Sequence, residues 1–120
     1  MTIKEGVENI KEMQKGDNNL KELTFRIFST LIENYTALYK LPNSDLLANF
    51  YGELIKNDII PKPFLKVALS YLKESLRYPE TDREFHFAFK CLESFIRKMP
   101  KFLSEIETIE NVKNNLLKKN

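Results

Sequence analysis

Few side chains of this 120-residue sequence belong to the types that carry out chemistry. The single histidine, His86, would need a second His, a Cys or converging carboxylates to bind a metal or catalyse a reaction. The single cysteine, Cys91, comes five residues later, which places it on a different side of a helix. We therefore expect structural roles for both: His86 at the surface or the edge of the core, and Cys91 as a small buried thiol.

Acidic residues and glycines offer no stronger candidate. Glu105, Glu107 and Glu110 lie in a helical segment whose polar face they populate, so they do not indicate an acid–base pair. The three glycines are isolated, whereas a phosphate-binding loop needs several close together. The sequence therefore predicts no enzyme activity, no metal site and no cofactor.

The composition is typical of a single globular domain without a highly charged partner. Hydrophobic residues make up 42% of the chain, and nine Phe and five Tyr can fill a core. The charged residues, 30% of the total, leave a net charge of only +2, and the lysines are spread along the chain. Because nucleic-acid binders usually concentrate basic residues on one face, direct binding of nucleic acid is not expected.

The location of the protein is predicted from what the sequence lacks. One cysteine cannot form an internal disulfide and fits a reducing compartment. The sequence has no apolar run at its start and no stretch of 18 apolar residues, so neither a secretory signal nor a membrane span is expected. We expect a cytoplasmic domain, with the nucleus as a second compartment, that spans residues 1–120. Its length fits either one small domain or a piece of a larger chain.

Proline, glycine and capping residues divide the chain into five to six helical segments. Apolar periodicity predicts helices over residues 3–14, 17–39, 44–57, 60–77, 81–99 and 104–117. Asp17 is expected to cap the second helix, and Pro63 fits the first turn of the fourth. Because the intervening loops are short, neighbouring helices should run antiparallel. The prediction is an all-α domain of antiparallel helical hairpins stacked as a short α-solenoid.

The fourth segment, from Ile60 to Arg77, carries more apolar surface than one partner can cover. Its apolar residues fill an arc of roughly 200° at about 100° per residue. A helix that packs on one side needs a stripe of only about 100°. We therefore expect this helix to lie in the interior of the stack, covered from two sides.

The second segment has a similar surplus. One stripe is expected to be an ordinary core face: Leu20, Leu23, Ile27, Leu31 and Leu38. A second stripe is rotated from it by roughly 120° and contains Phe25, Ile32 and Tyr39, with Phe28 and Tyr35 between the two. Two explanations remain open: burial under further helices of a longer chain, or a groove that receives an amphipathic helix from a partner.

The second explanation predicts specific lining residues on the second and third helices. Aromatic and large aliphatic side chains in a preformed groove are the usual hot spots of such interfaces. We predict the following groove residues: Phe28, Ile32, Tyr35, Tyr39, Phe50, Tyr51 and Leu54.

Several short runs of the sequence also resemble a known family. They include Leu31-Ile-Glu-Asn-Tyr35, Tyr51-Gly52, Ala68-Leu69-Ser70-Tyr71 and Leu76-Arg77, followed by Pro79, Phe87, Leu92 and Phe95. Over about residues 25–100 the chain resembles the tristetraprolin-binding segment of the large scaffold subunit of the CCR–NOT deadenylase complex. Two family glycines are replaced, by Glu53 and, in the following turn, by Asp58.

The resemblance implies a HEAT-like stack related to the middle domains of translation-initiation scaffolds. It also implies a non-catalytic platform that docks a short amphipathic peptide of an RNA-binding adaptor, such as tristetraprolin. Other deadenylase-complex subunits would bind through the rest of the scaffold, so that the adaptor's mRNA is deadenylated. The alternative is a helical middle-domain-type module that binds RNA, or a translation or mRNA-decay partner, directly.

Overall fold

A computed structural model of the protein describes residues 2–118 and is helical throughout its regular structure. The all-α prediction is therefore confirmed. The elements of this range are α1 (Ile3–Gln14), α2 (Asn18–Glu33), α3 (Tyr35–Leu38), α4 (Ser44–Lys56), α5 (Lys62–Ser75), α6 (Arg83–Phe95), a 3-10 turn (Ile96–Lys98), α7 (Pro100–Ile106) and α8 (Glu110–Lys118).

The helices begin where capping chemistry predicts. The side chain of Asp17 accepts a hydrogen bond from the backbone N–H of Leu20, as an N-cap residue should. Thr2 does the same for Glu5 at the start of α1. Pro63 lies in the first turn of α5, where the missing N–H costs little.

Two of the predicted helices are interrupted. Residues 2–118 therefore contain eight α-helices, whereas the sequence predicts five or six. The second segment does not continue to Tyr39 but breaks at Asn34, whose side-chain amide donates to the carbonyl of Thr30. The last segment breaks near Thr108, whose hydroxyl donates to the carbonyl of Glu105. Such local side-chain bonds compete with the helical backbone and favour an end to the helix.

Helices α1, α4 and α6 form one row and run in the same direction. Gln14 and Lys11 of α1 bind the carbonyl of Ile59 and the side chain of Asn57, at and beyond the end of α4. Asp45 at the start of α4 lies against His86 at the start of α6. A second row is formed by α2 and α5, so consecutive helices alternate between rows, as in a solenoid of hairpins.

The second row is also parallel. The ring of Phe25 in α2 contacts that of Phe64 in α5, with centroids 4.7 Å apart. Ten residues later, Tyr35 stacks on Tyr71 and bonds Ser75 towards the end of α5. Contacts with α2 and α6 cover α5 on two sides, but Val67 remains 42% exposed. The prediction that this helix is interior is therefore only partly right.

The most buried helix is instead α6. Seven of its thirteen residues are buried, including Phe87, Cys91 and Leu92. Its close packing on α4 depends on Gly52, because a side chain there would overlap the carbonyl oxygen of Cys91 and the side chain of Ser94. The turn after α4 contains Asp58 with φ 55°, a left-handed conformation. The family that this sequence resembles has glycine at the position of Asp58, and glycine adopts a left-handed conformation most readily.

Candidate functional site

The single histidine and the single cysteine of the chain have structural positions. His86 is exposed, and its Nε2 lies 3.1 Å from an oxygen of Asp45 in a surface pair of the kind that contributes little to stability. Cys91 is fully buried, and this burial raises the pKa of its thiol well above the ordinary value. Both positions are as predicted.

The described part of the chain also lacks two larger features. Among those residues, His, Cys, Asp and Glu side chains form no group of three that could hold a metal ion. None of the helices between residues 2 and 118 combines the length and apolar character needed to span a bilayer.

The predicted groove residues mostly lie inside the domain. Five have exposed fractions of 2% or less: Phe28, Ile32, Tyr35, Tyr51 and Leu54. The other two, Tyr39 and Phe50, are half-buried and pack against the core. Five of the seven side chains are thus not on the surface of the free domain, so a peptide could reach them only by displacing core packing. Their contact with a partner stays a prediction.

These buried residues converge on Tyr35, which lies between the two rows. Its hydroxyl donates to the Ser75 hydroxyl over 2.9 Å, and its ring stacks on Tyr71 with centroids 5.4 Å apart. Tyr51 and Phe87 contact the same ring edge-on, at 5.8 and 5.5 Å. Burial raises the pKa of Tyr35 well above that of a free tyrosine. Tyr35 is therefore a neutral structural residue that links α3 to α4, α5 and α6.

Tyr51 differs from Tyr35 because its hydroxyl has no hydrogen-bond partner among the described residues, although it is fully buried. Burial also raises the pKa of this phenol, with a smaller contribution from Cys91. An unpaired buried hydroxyl costs free energy that a phenylalanine would not. Tyr51 therefore contributes to stability through the packing of its ring and not through its hydroxyl.

An exposed apolar surface lies directly outside Tyr35, along the junction of α2 and α5. We call it the α2–α5 seam and define it by four residues: Phe25, Phe64, Val67 and Tyr71. Phe25 is 55% exposed and contacts Phe64, and Val67 and Tyr71 follow on the same side of α5, three and seven residues after Phe64. The stacking of Tyr71 on Tyr35 makes the core a rigid support for this surface.

The seam differs from the predicted groove in its second helix, which is α5 rather than α4, and in the rotation of α2. The sequence placed Leu20 and Leu23 on the core face, yet both are exposed, while Phe28 and Ile32 from the other part of the arc are buried. Phe25, assigned to the second stripe, is exposed on the opposite edge. The surplus apolar width that the sequence predicts for α2 is therefore present, but its exposed residues are Leu20, Leu23 and Phe25 rather than the predicted groove residues.

Comparison with known proteins supplies the family of this domain. No curated protein sequence matches the chain closely enough to count as a relative. A family model described as the CCR4-NOT transcription complex subunit 1 TTP binding domain matches residues 1–118. This match confirms the resemblance predicted from the sequence and extends it from about residues 25–100 to nearly the whole chain. The chain therefore belongs to the family of CCR4-NOT transcription complex subunit 1 TTP binding domains.

Proposed function

We propose that this domain is a non-catalytic docking module of the CCR4-NOT scaffold. It binds a short amphipathic helix from an RNA-binding adaptor similar to tristetraprolin (TTP), and so brings the deadenylase to the adaptor's mRNA. The family match supports the type of partner, because the family's description names TTP binding. In this proposal the domain is one part of a longer scaffold that works in the cytoplasm and also in the nucleus.

The observation that carries the proposal is the exposed α2–α5 seam. Apolar side chains at i, i+3 and i+7 on one helix edge form the type of surface that an amphipathic helix binds. Phe64, Val67 and Tyr71 have this spacing in α5, and Phe25 continues the surface onto α2. Because Tyr35 stacks on Tyr71 and also contacts Tyr39, the proposed contact surface adjoins residues predicted from the sequence.

The proposal is tested by titrating a fluorescent TTP-derived peptide against the domain. Phe25→Ala and Val67→Ala remove exposed anchors without opening the core, so each should weaken binding by more than about 1 kcal/mol, or roughly fivefold. Tyr35→Ala is less suitable, because loss of this buried ring would damage the core itself.

The matched control is Leu46→Ala. Leu46 lies on α4, outside the seam, and is as exposed as Phe25, at 55%. Its removal should leave the dissociation constant unchanged. Equal binding by the wild type and both seam variants would rule out the seam as the docking surface.

The same titration with single-stranded RNA distinguishes the alternative function. Binding in the micromolar range that falls steeply with salt would favour an RNA-binding module. The net charge of +2 gives no support to that outcome.

A further inference from the structure

The charged residues differ between the two ends of the α2–α5 seam. At the Phe25 end, the exposed Lys21 precedes Phe25 by four residues and lies on the same side of α2. On α2, Glu22 precedes Phe25 by three residues and Glu33 follows it by eight, so both lie on the Phe25 side. On α5, Glu74 follows Val67 by seven residues and Tyr71 by three. All three glutamates are exposed.

These carboxylates differ in whether a cation already neutralises them. The Arg26 guanidinium lies 2.9 Å from Glu22 and forms an ion pair with it. Glu33 accepts a hydrogen bond from the hydroxyl of Ser29, which leaves its charge in place. No cation of the described residues lies within ion-pair distance of Glu33 or Glu74. The uncompensated negative charge is therefore at the Tyr71 end of the seam.

The two ends of the seam thus differ in chemistry. The Phe25 end presents the paired rings of Phe25 and Phe64. At the Tyr71 end, Glu74 follows Tyr71 by three residues, and Glu33 comes two residues before Tyr35, whose ring stacks on Tyr71. Phe25 and Glu33 are eight residues apart in one helix, which corresponds to about 12 Å at 1.5 Å per residue. Two turns of a helix laid along the seam span the same distance.

We propose that the peptide bound at the seam is cationic, an inference that rests on the proposed function. The apolar anchors of the peptide contact Phe25, Phe64 and Val67. An Arg or Lys of the peptide, about two helical turns away, pairs with Glu33 and Glu74. The apolar contacts supply most of the affinity. The ion pairs lie at the rim, so they set the orientation of the helix and speed its association. They also make binding sensitive to salt.

Charge reversal of the two glutamates tests this inference with the same TTP-derived peptide. The double variant Glu33→Lys with Glu74→Lys should bind about fivefold or more weakly than the wild type at low salt, since each exposed pair contributes modestly and like charges then repel. The difference should shrink at 0.5 M salt, because screening acts on exposed charges. A peptide in which Glu replaces every basic residue should regain affinity for the double variant.

The matched control is Glu12→Lys, which reverses an exposed glutamate on α1, outside the seam. It should bind as the wild type does, and melting curves should show that all variants are folded. Binding that depends on Phe25 but does not respond to the two glutamates would overturn the cationic peptide while leaving the docking function intact. A wild-type domain that does not bind the peptide at all would overturn both.

Discussion

The close packing of α4 on α6 gives the most direct test of the fold, through the substitution Gly52→Ala. A methyl group at this position would lie 2.8 Å from Cβ of Ser94, and the carbonyl oxygen of Cys91 would be closer still. Ordinary contacts of a Cβ atom begin near 3.4 Å. The helices must therefore separate by more than half an ångström, and the closest neighbour is backbone that cannot rotate away.

Two opposing effects set the size of the loss. Overpacking of a core typically costs about 1–3 kcal/mol, and the upper end applies here because the obstacle is a main-chain carbonyl. Alanine favours a helix interior over glycine by about 1 kcal/mol, which offsets part of this cost. The expected net loss is about 2 kcal/mol in the free energy of unfolding. For a domain of this size it corresponds to a fall of about 8 °C in the melting temperature.

The measurement is a pair of thermal or urea unfolding curves, with Gly16→Ala as the control. The methyl group at residue 16 would meet the end of the Leu20 side chain, which is exposed and free to move. The control should therefore change the stability by less than about 1 kcal/mol. A Gly52→Ala protein as stable as the wild type would show that the two helices are not packed as closely as described.

Three further predictions concern the tyrosines and the turn after α4. Tyr51→Phe removes an unpaired buried hydroxyl and should preserve or raise the stability in urea by up to about 1 kcal/mol, whereas Tyr35→Phe should lower it by about 1 kcal/mol because the Ser75 hydroxyl loses its partner. Asp58→Gly should raise the melting temperature slightly, since glycine adopts φ 55° without the cost of about 1 kcal/mol that a side chain imposes. Burial raises the pKa of Cys91, Tyr35 and Tyr51, so the folded chain keeps protons that the unfolded chain releases near pH 9 and 10. The contribution of these groups to the free energy of unfolding should be fully present below pH 9. Above that pH the free energy of unfolding should fall by up to about 1.4 kcal/mol per pH unit for each group, as measured by urea unfolding across alkaline pH.

The starts of α2 and α5 could be predicted because each has a local cause. Asp17 and Pro63 act on backbone groups of their own turn, so no knowledge of the tertiary structure is needed. The breaks at Asn34 and Thr108 were missed, because either residue is also tolerated inside a helix. Periodicity alone does not decide whether such a side chain bonds the backbone and ends the helix.

The position of the exposed apolar surface could not be predicted from the sequence. Apolar periodicity gives the width of the arc on α2, but packing against the neighbouring helices decides how the helix is rotated. The aromatic cluster around Tyr35 turns Phe28 and Ile32 into the core and leaves Leu23 and Phe25 on opposite exposed edges. These contacts join residues far apart in the sequence, which explains why spacing within one helix could not predict them.

The arrangement in two rows has a consequence for how the domain opens. Each helix is held mainly by its immediate neighbours, as in a one-dimensional array whose stability is a sum of adjoining interfaces. Helix α1 contacts α2 and α4 at one edge of its row, so it can detach at a local cost while the α4–α6 interface persists. We therefore expect backbone amides of α6 to exchange with solvent only when the whole array unfolds, and those of α1 to exchange through local fraying. The seam, supported by Tyr35 from the centre of the array, is expected to stay folded when α1 detaches.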